Sequence, residues 1–262
     1  MREILSEETH HFLTNPDHHS HEFQNADPFP HIVINNFFNE DFLSRIVEKY
    51  PNYDDVKWWK YDNPFEKKLA FNKVSDLDPC FEIFFNFVNS RKFVTCLERL
   101  TGIENLLSDP SLHGGGLHRI EQGGKLDIHA DFNYHKVTGW LRRLNMITFL
   151  NKDWDEEYGG YSELWNLDMS RCVQRTLPVF NRVVIFEVGD TAWHGHPDPL
   201  SCPPDRCRKS LASYYYTLHD HDIDVLEYRS TDYKRRPHED ADPKIESLRR
   251  KRRKGRLGDL VT

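Results

Sequence analysis

Gly123-Gly124-Lys125-Leu126-Asp127-Ile128-His129-Ala130-Asp131 is the stretch on which the reading of this chain turns. The glycine pair suits a turn, and the residues after it read as a short strand over 125–129. On a strand, residues i and i+2 point to the same face, so His129 and Asp131 can offer an imidazole and a carboxylate to one ion. The polar loop that follows would put both groups at a strand end, beside a cavity mouth. Two histidines and one carboxylate on one face of an octahedral metal leave three positions open, the donor set of non-haem Fe(II) oxygenases. In a chain with 15 histidines one His-x-Asp triplet is weak evidence, so the rest of the sequence must supply the third ligand and the fold.

Downstream, Thr191-Ala192-Trp193-His194-Gly195-His196-Pro197 offers two imidazoles, His194 and His196, and the residues alone leave both open. Fourteen positions after His194, Arg208-Lys209-Ser210 opens the β-prone run Leu211-Ala212-Ser213-Tyr214-Tyr215-Tyr216. Arg208 and Ser210 would share a face there. A guanidinium fork beside a hydroxyl is suited to gripping a carboxylate. Open metal positions together with a carboxylate clamp imply a chelating dicarboxylate co-substrate.

Around these motifs the chain changes texture at about residue 112. From there, short β-rich runs at 118–120, 125–129, 144–150, 161–165, 182–188 and 209–218 are separated by Gly, Pro and Asp/Asn clusters. Most gaps are too short for helices, so the sheet should be largely antiparallel. Before 112 the pattern is mainly helical. Asn39 should cap a helix whose face carries Phe42, Leu43, Ile46, Val47 and Tyr50 and which Pro51 ends. A second helical region covers about 80–101, with Ser90 an internal cap and Thr101-Gly102 its stop. A strand is expected at His31-Ile32-Val33-Ile34. The fold class is α+β, with N-terminal helices flanking a β-sandwich or jelly roll.

The chain has 262 residues, 38% hydrophobic and 13% aromatic, enough to build a core and too aromatic for general disorder. No apolar run nears the roughly 20 residues of a membrane-spanning helix. The start, MREILSEETHHF, does not read as a secretory signal. Five unevenly spaced cysteines do not make a disulfide framework and point to a reducing compartment. Cys202 and Cys207, one pair in one loop, are a weak zinc signal and read as free thiols. Residues 229–262 carry twelve Lys/Arg and six Asp/Glu, whereas residues 1–228 have a surplus of thirteen acidic groups. The acidic body disfavours a nucleic-acid groove, leaving the run Arg249-Arg250-Lys251-Arg252-Arg253-Lys254 as the place where nucleic acid or an import receptor would bind. The plainer expectation for 229–262 is a solvated, partly disordered tail. Residues 1–27, with His10, His11, His18, His19 and His21, show no period and read as a mobile leader.

Taken together, the motifs resemble the 2-oxoglutarate- and Fe(II)-dependent oxygenases, in their prolyl-4-hydroxylase-like branch. The resemblance covers about residues 28–220. It rests on Pro28-Phe29-Pro30-His31-Ile32-Val33, Gly123-Gly124-Lys125-Leu126, His129-Ala130-Asp131, Arg143-Leu144-Asn145, Leu150-Asn151-Lys152-Asp153-Trp154, Gly159-Gly160, Trp193-His194 and Arg208-Lys209-Ser210-Leu211, in that order. It implies a double-stranded β-helix (jelly roll) with flanking N-terminal helices. The oxygenase domain would be 28–228, helical over 28–111 and jelly roll over 112–228, between the leader and the basic tail.

By position, the resemblance makes His129, Asp131 and His194 the metal and catalytic residues, with His194 preferred over His196, and Arg208 and Ser210 the co-substrate residues. It implies Fe(II), 2-oxoglutarate and O2, with ascorbate as an accessory. The reaction would be hydroxylation of an unactivated C–H bond in a prolyl or other residue of a protein or peptide. A small metabolite, or a non-catalytic ligand-binding jelly roll acting through its tail, is the alternative. No membrane partner is expected. The setting would be cytoplasmic, with the nucleus allowed by the basic run. This chain departs from many relatives at His118-Arg119-Ile120, where they place a co-substrate tyrosine. Asn145 and Thr148 are the remaining candidates for the co-substrate shell, while His113 and His118 read as structural or substrate-facing.

Overall fold

The computed structural model describes residues 4–218 and 228–253. It opens with two short helices, α1 (Glu7–Thr14) and α2 (Asp17–Gln24), then β1 (His31–Ile34) and α3 (Glu40–Glu48). A hairpin follows, β2 (Trp59–Asn63) and β3 (Glu66–Phe71), then α4 (Pro79–Val88) and α5 (Arg91–Thr101). The strand-rich part is β4 (Leu107–Ser108), β5 (Gly116–Ile120), β6 (Lys125–Ala130), β7 (Leu141–Phe149), β8 (Ser162–Trp165), β9 (Cys172–Thr176), β10 (Val183–Glu187), β11 (His194–His196) and β12 (Arg208–Thr217). The described chain ends with β13 (Asp232–Tyr233) and α6 (Pro243–Arg253).

The helix signals act as read. Asn39 accepts a hydrogen bond from the Phe42 N–H and starts α3, and Ser90 accepts from Phe93 N–H and separates α4 from α5. Gly102, in the left-handed region at φ 76°, closes α5.

All strand pairs are antiparallel, in the order β1-β10-β7-β12-β5-β3-β6-β11-β8-β9, and β3 joins the two halves by pairing β5 at Leu69–Phe71 and β6 at Glu66–Lys67. The result is a jelly roll. Alternation sorts its side chains onto two faces. Leu144, Met146, Val183, Ile185, Leu211 and Tyr215 join the core under the helices, while Phe149, Val184 and Phe186 form a separate cluster on the interior face. No described helix is long and apolar enough to cross a membrane.

Three expectations are corrected. The leader is ordered from Ile4 onward: Phe12, Leu13 and Phe23 are buried, Phe12 lies 5.2 Å from Phe37 edge-on, and Cys96 Sγ donates to the Phe12 carbonyl. Eight-residue helices are marginal alone. These persist because large apolar side chains spaced among polar ones reach the core, a contact that local periodicity does not reveal.

The division at residue 112 also fails, since β1 to β4 lie before it and three of them flank the jelly roll's main strands. The tail, finally, is not a solvated appendage. β13 pairs β6, and Arg249 on α6 is buried. Its arginines are held by carboxylates far away in sequence. Lys254 and the remainder of the tail lie outside the described residues.

Candidate metal centre

His129 near the end of β6 stands directly opposite His194 at the start of β11 in the sheet register. Directly opposed residues project to the same side, and the two rings lie 4.3 Å apart. Asp131, two residues beyond His129, completes a group whose ligand atoms all fall within 4.8 Å of one another. His194 Nε2 is 3.3 Å from Asp131 Oδ2, and His129 Nε2 is 3.6 Å from Oδ1. All three residues are buried.

The hydrogen bonds decide which nitrogens are available. His129 Nδ1 lies 2.8 Å from the Asp127 carbonyl oxygen and His194 Nδ1 2.9 Å from that of Ala192. A carbonyl only accepts, so each Nδ1 carries the proton and each Nε2 lone pair is turned toward Asp131. A backbone-anchored Nδ1 with a free Nε2 is how metal-bound imidazoles are held. Burial pushes the His129 ring toward its neutral form, and the neighbouring His194 pushes in the same direction. Burial alone would raise the Asp131 carboxyl, but the Arg142 guanidinium and His194 outweigh it and hold the group well below the usual carboxylate range. Two imidazoles aimed at one point and one ionised carboxylate fit a divalent metal.

A buried network fixes the carboxylate. Asn145 Nδ2 donates to Asp131 Oδ2 at 2.7 Å, and Arg142 Nη2 lies 3.2 Å from the same oxygen. Arg142 also donates to Asn145 Oδ1 from Nε and Nη2, at 2.9 and 2.6 Å, which sets the amide orientation. Its guanidinium is sandwiched between the rings of Tyr214 (3.5 Å) and Phe132 (4.5 Å). Asn145 therefore belongs to the carboxylate's support. Thr148, the other shell candidate, pairs in register with Val183 and Leu211 on the helix-facing side and is not part of the site. Arg142 itself escaped the sequence reading for a structural reason. The register of β7 against β12 shifts between Tyr215 and Tyr216, which places Leu144 opposite one and Arg142 opposite the other. This bulge carries Arg142 to the face of Asn145, where strict alternation would have put Arg143.

His196 stays outside the three-residue group. β6 advances from His129 to Leu126 while β11 advances only from His194 to His196. The side chain is buried with neither ring nitrogen hydrogen-bonded among the described residues. Burial, then the nearby Arg208, keeps it neutral. Gly195 between the two histidines has no room for a side chain, since a Cβ would lie 2.8 Å from the Leu126 carbonyl oxygen.

Arg208 opens β12 on the interior face, with Ser210 two residues on. Its Nε donates to the Gly160 carbonyl at 2.9 Å, and the guanidinium carbon lies 4.9 Å from the Phe149 ring centre. Among the described residues no carboxylate pairs with it, and burial pushes its pKa down to about 9. A buried guanidinium without a counter-ion is costly, so an incoming carboxylate would relieve it. Gly160 makes the cradle: a Cβ there would fall 3.0 Å from Arg208 Cδ and 2.6 Å from Leu200 Cδ2. Ser210 is buried and stands opposite His118 of β5. Burial holds the His118 ring down to about 3, and Lys68 adds to this, so His118 is a neutral polar lining group. His113 lies elsewhere, against Phe132 and His135. Cys202 and Cys207 are free thiols, and among the described residues His129, Asp131 and His194 form the one candidate metal group.

Comparison with known proteins agrees with this geometry. Residues 115–216 match the family model of the 2OG-Fe(II) oxygenase superfamily. The chain is 25% identical over 195 residues to the prolyl 3-hydroxylase OGFOD1 of Mus musculus, covering 72% of this chain and 33% of that protein. It thus spans about one third of the curated relative's length. Two solved structures share its fold. One is a Trichoplax adhaerens prolyl hydroxylase in complex with a hypoxia-inducible-factor peptide fragment (TM-score 0.55, 16% identity, 80% of this chain and 94% of that one). The other is a Pseudomonas putida prolyl-4-hydroxylase (TM-score 0.56, 13% identity, 78% and 100%). The chain is thus similar to the 2OG-Fe(II) oxygenase superfamily over a region that runs from the glycines before β5 almost to the end of β12 and bears the candidate metal group and Arg208.

Proposed function

We propose that this protein is an Fe(II)- and 2-oxoglutarate-dependent dioxygenase that hydroxylates an unactivated C–H bond in a prolyl or other residue of a protein or peptide. The observation that carries the reading is the pairing of the His129–Asp131–His194 group with an uncompensated buried guanidinium, Arg208, the two connected through the Phe149–Phe186 cluster. A metal-binding module would need the first feature and have no use for the second. The prolyl hydroxylase relative and structural neighbours support a prolyl substrate over a metabolite.

His129 and His194 would each give Nε2 to the metal and Asp131 one oxygen, Asn145 and Arg142 restraining the other. When bound, Fe(II) with 2-oxoglutarate and O2 supplies the oxidising power, one oxygen atom going to the substrate carbon and one to the succinate formed with CO2. Arg208, assisted by Ser210, would hold the distal carboxylate of 2-oxoglutarate. Phe149 and Phe186, both buried, keep water from the metal's flank; the Phe186 ring lies 4.6 Å from that of His194. The five cysteines, all free thiols, support a reducing compartment such as the cytoplasm.

Succinate formation from 2-oxoglutarate, with and without proline-containing peptides, tests the proposal. Arg208→Ala should raise the apparent KM for 2-oxoglutarate at least tenfold and lower kcat far less, because a charge-assisted bidentate contact is lost. An unchanged KM would remove Arg208 from its role.

A further inference from the structure

The basic C-terminal segment, which neither the family match nor the proposed chemistry involves, touches every stretch of chain that carries a metal ligand. At its start, the Arg229 N–H donates to Asn133 Oδ1 at 2.8 Å and the Asn133 N–H donates to the Arg229 carbonyl at 3.2 Å, two residues past Asp131. The Arg229 guanidinium lies 2.9 Å from Asp190, four residues before His194. β13 then pairs with the edge of β6, Asp232 opposite Ala130 and Tyr233 opposite His129, and the Lys234 N–H donates to the Ile128 carbonyl. β3 covers this edge only as far as Leu126. The backbone at His129 is closed on that side by the C-terminal segment.

Side chains extend the contact. The buried Tyr233 ring lies 5.5 Å from the His129 ring and stacks on Phe65 at 4.8 Å and 18°. Lys234 Nζ sits 4.9 Å from the Trp193 ring, next to His194. From α6, Arg252 pairs with Glu66 at 3.2 Å and covers both Phe65 and Tyr233, while Arg253 lies 3.6 Å from Asp232. Arg249 lies 3.5 Å from Asp127, the residue whose carbonyl orients His129 Nδ1. Three cations of the basic run are thus matched by carboxylates of the same chain.

We propose that residues 228–253 are a strap that positions the metal ligands, with Tyr233 the positioning residue for His129 and the arginines of α6 its charge-paired lock. The inference rests on the metal-centre reading above. It predicts that loosening the strap weakens divalent-metal binding, and that salt does the same by screening the lock.

Co(II) titration of the full chain, followed by visible absorption, tests it on wild type, Tyr233→Phe, Tyr233→Ala and Arg249→Glu/Arg252→Glu. Amide hydrogen exchange at Ala130, opposite Asp232, and at Lys234, which donates to the Ile128 carbonyl, gives a second readout without metal. Tyr233→Ala and the double variant should bind Co(II) at least about tenfold more weakly, the scale of lost outer-shell support, with faster exchange at those amides. Tyr233→Phe, which keeps the ring, should stay within about threefold of wild type. Raising NaCl should weaken Co(II) binding more in wild type than in the double variant, where the paired arginines are gone. Normal wild-type binding with unaffected variants, or unchanged exchange at the two amides, overturns the strap alone. No Co(II) binding in wild type overturns the metal-centre reading and the positioning role together.

Discussion

Two hydrogen-bond acceptors, the carbonyls of Asp127 and Ala192, settle the tautomers of His129 and His194 and so aim two buried imidazoles, the candidate ligands, at one point. The same economy holds at Arg208, whose direction depends on a residue with no side chain. Gly160→Ala would drive a methyl group into the Arg208 stem and Leu200. Gly160 also sits at φ 72°, where an L residue is strained. The expected outcome is a KM for 2-oxoglutarate raised severalfold with the melting temperature lowered by only a few degrees, measured by succinate formation and calorimetry. Wild-type KM in this variant would show that Arg208 does not need the cradle.

At the scale of elements, helices and strands owe their stability to contacts distant in sequence. α1 and α2 are polar on most of their length, and Phe12 is their main attachment, wedged against Phe37 and Phe93. Phe12→Ala should destabilise the protein by about 3–5 kcal/mol, the usual cost of emptying a buried phenylalanine site. Urea unfolding measures this; a loss below about 1 kcal/mol would mean that the first two helices are not part of the cooperative unit. The strap's anchor on β3 has a pH signature. Burial acts to raise the Glu66 carboxyl, but Lys68 and Arg252 together bring it down to about 2. A depressed carboxylate pKa gives stability that is complete above the unfolded value near 4.5 and is lost as pH falls toward 2. Glu66→Gln should therefore flatten that part of the acid limb of the stability curve and leave its shape near neutrality unchanged.

For the whole molecule, the sequence was legible where local rules and chemistry coincide. The caps Asn39 and Ser90, the stop at Gly102, and the alternating runs that became β5, β6, β7, β8, β10 and β12 could be read because each signal is short-range. His129, Asp131, His194 and Arg208 could be placed on one site because their spacing matched a family pattern, and the structure does bring the first three together. What escaped reading was long-range. The pairing of β3 with β5 and β6, the strand β13 and the docking of α1, α2 and α6 depend on partners tens to hundreds of residues away, as in the ion pair of Arg252 with Glu66. Arg142 was hidden by a bulge that no local pattern announces.

In the proposed reaction Fe(II) and 2-oxoglutarate meet between His129, Asp131 and His194 on one side and Arg208 on the other. Anaerobic titration of the metal-free protein with Fe(II) and 2-oxoglutarate tests it most directly, through the visible charge-transfer band of the chelate. Wild type and His196→Ala should both show the band, and His194→Ala should show none. A band that survives His194→Ala but not His196→Ala, or no band in wild type, would contradict it.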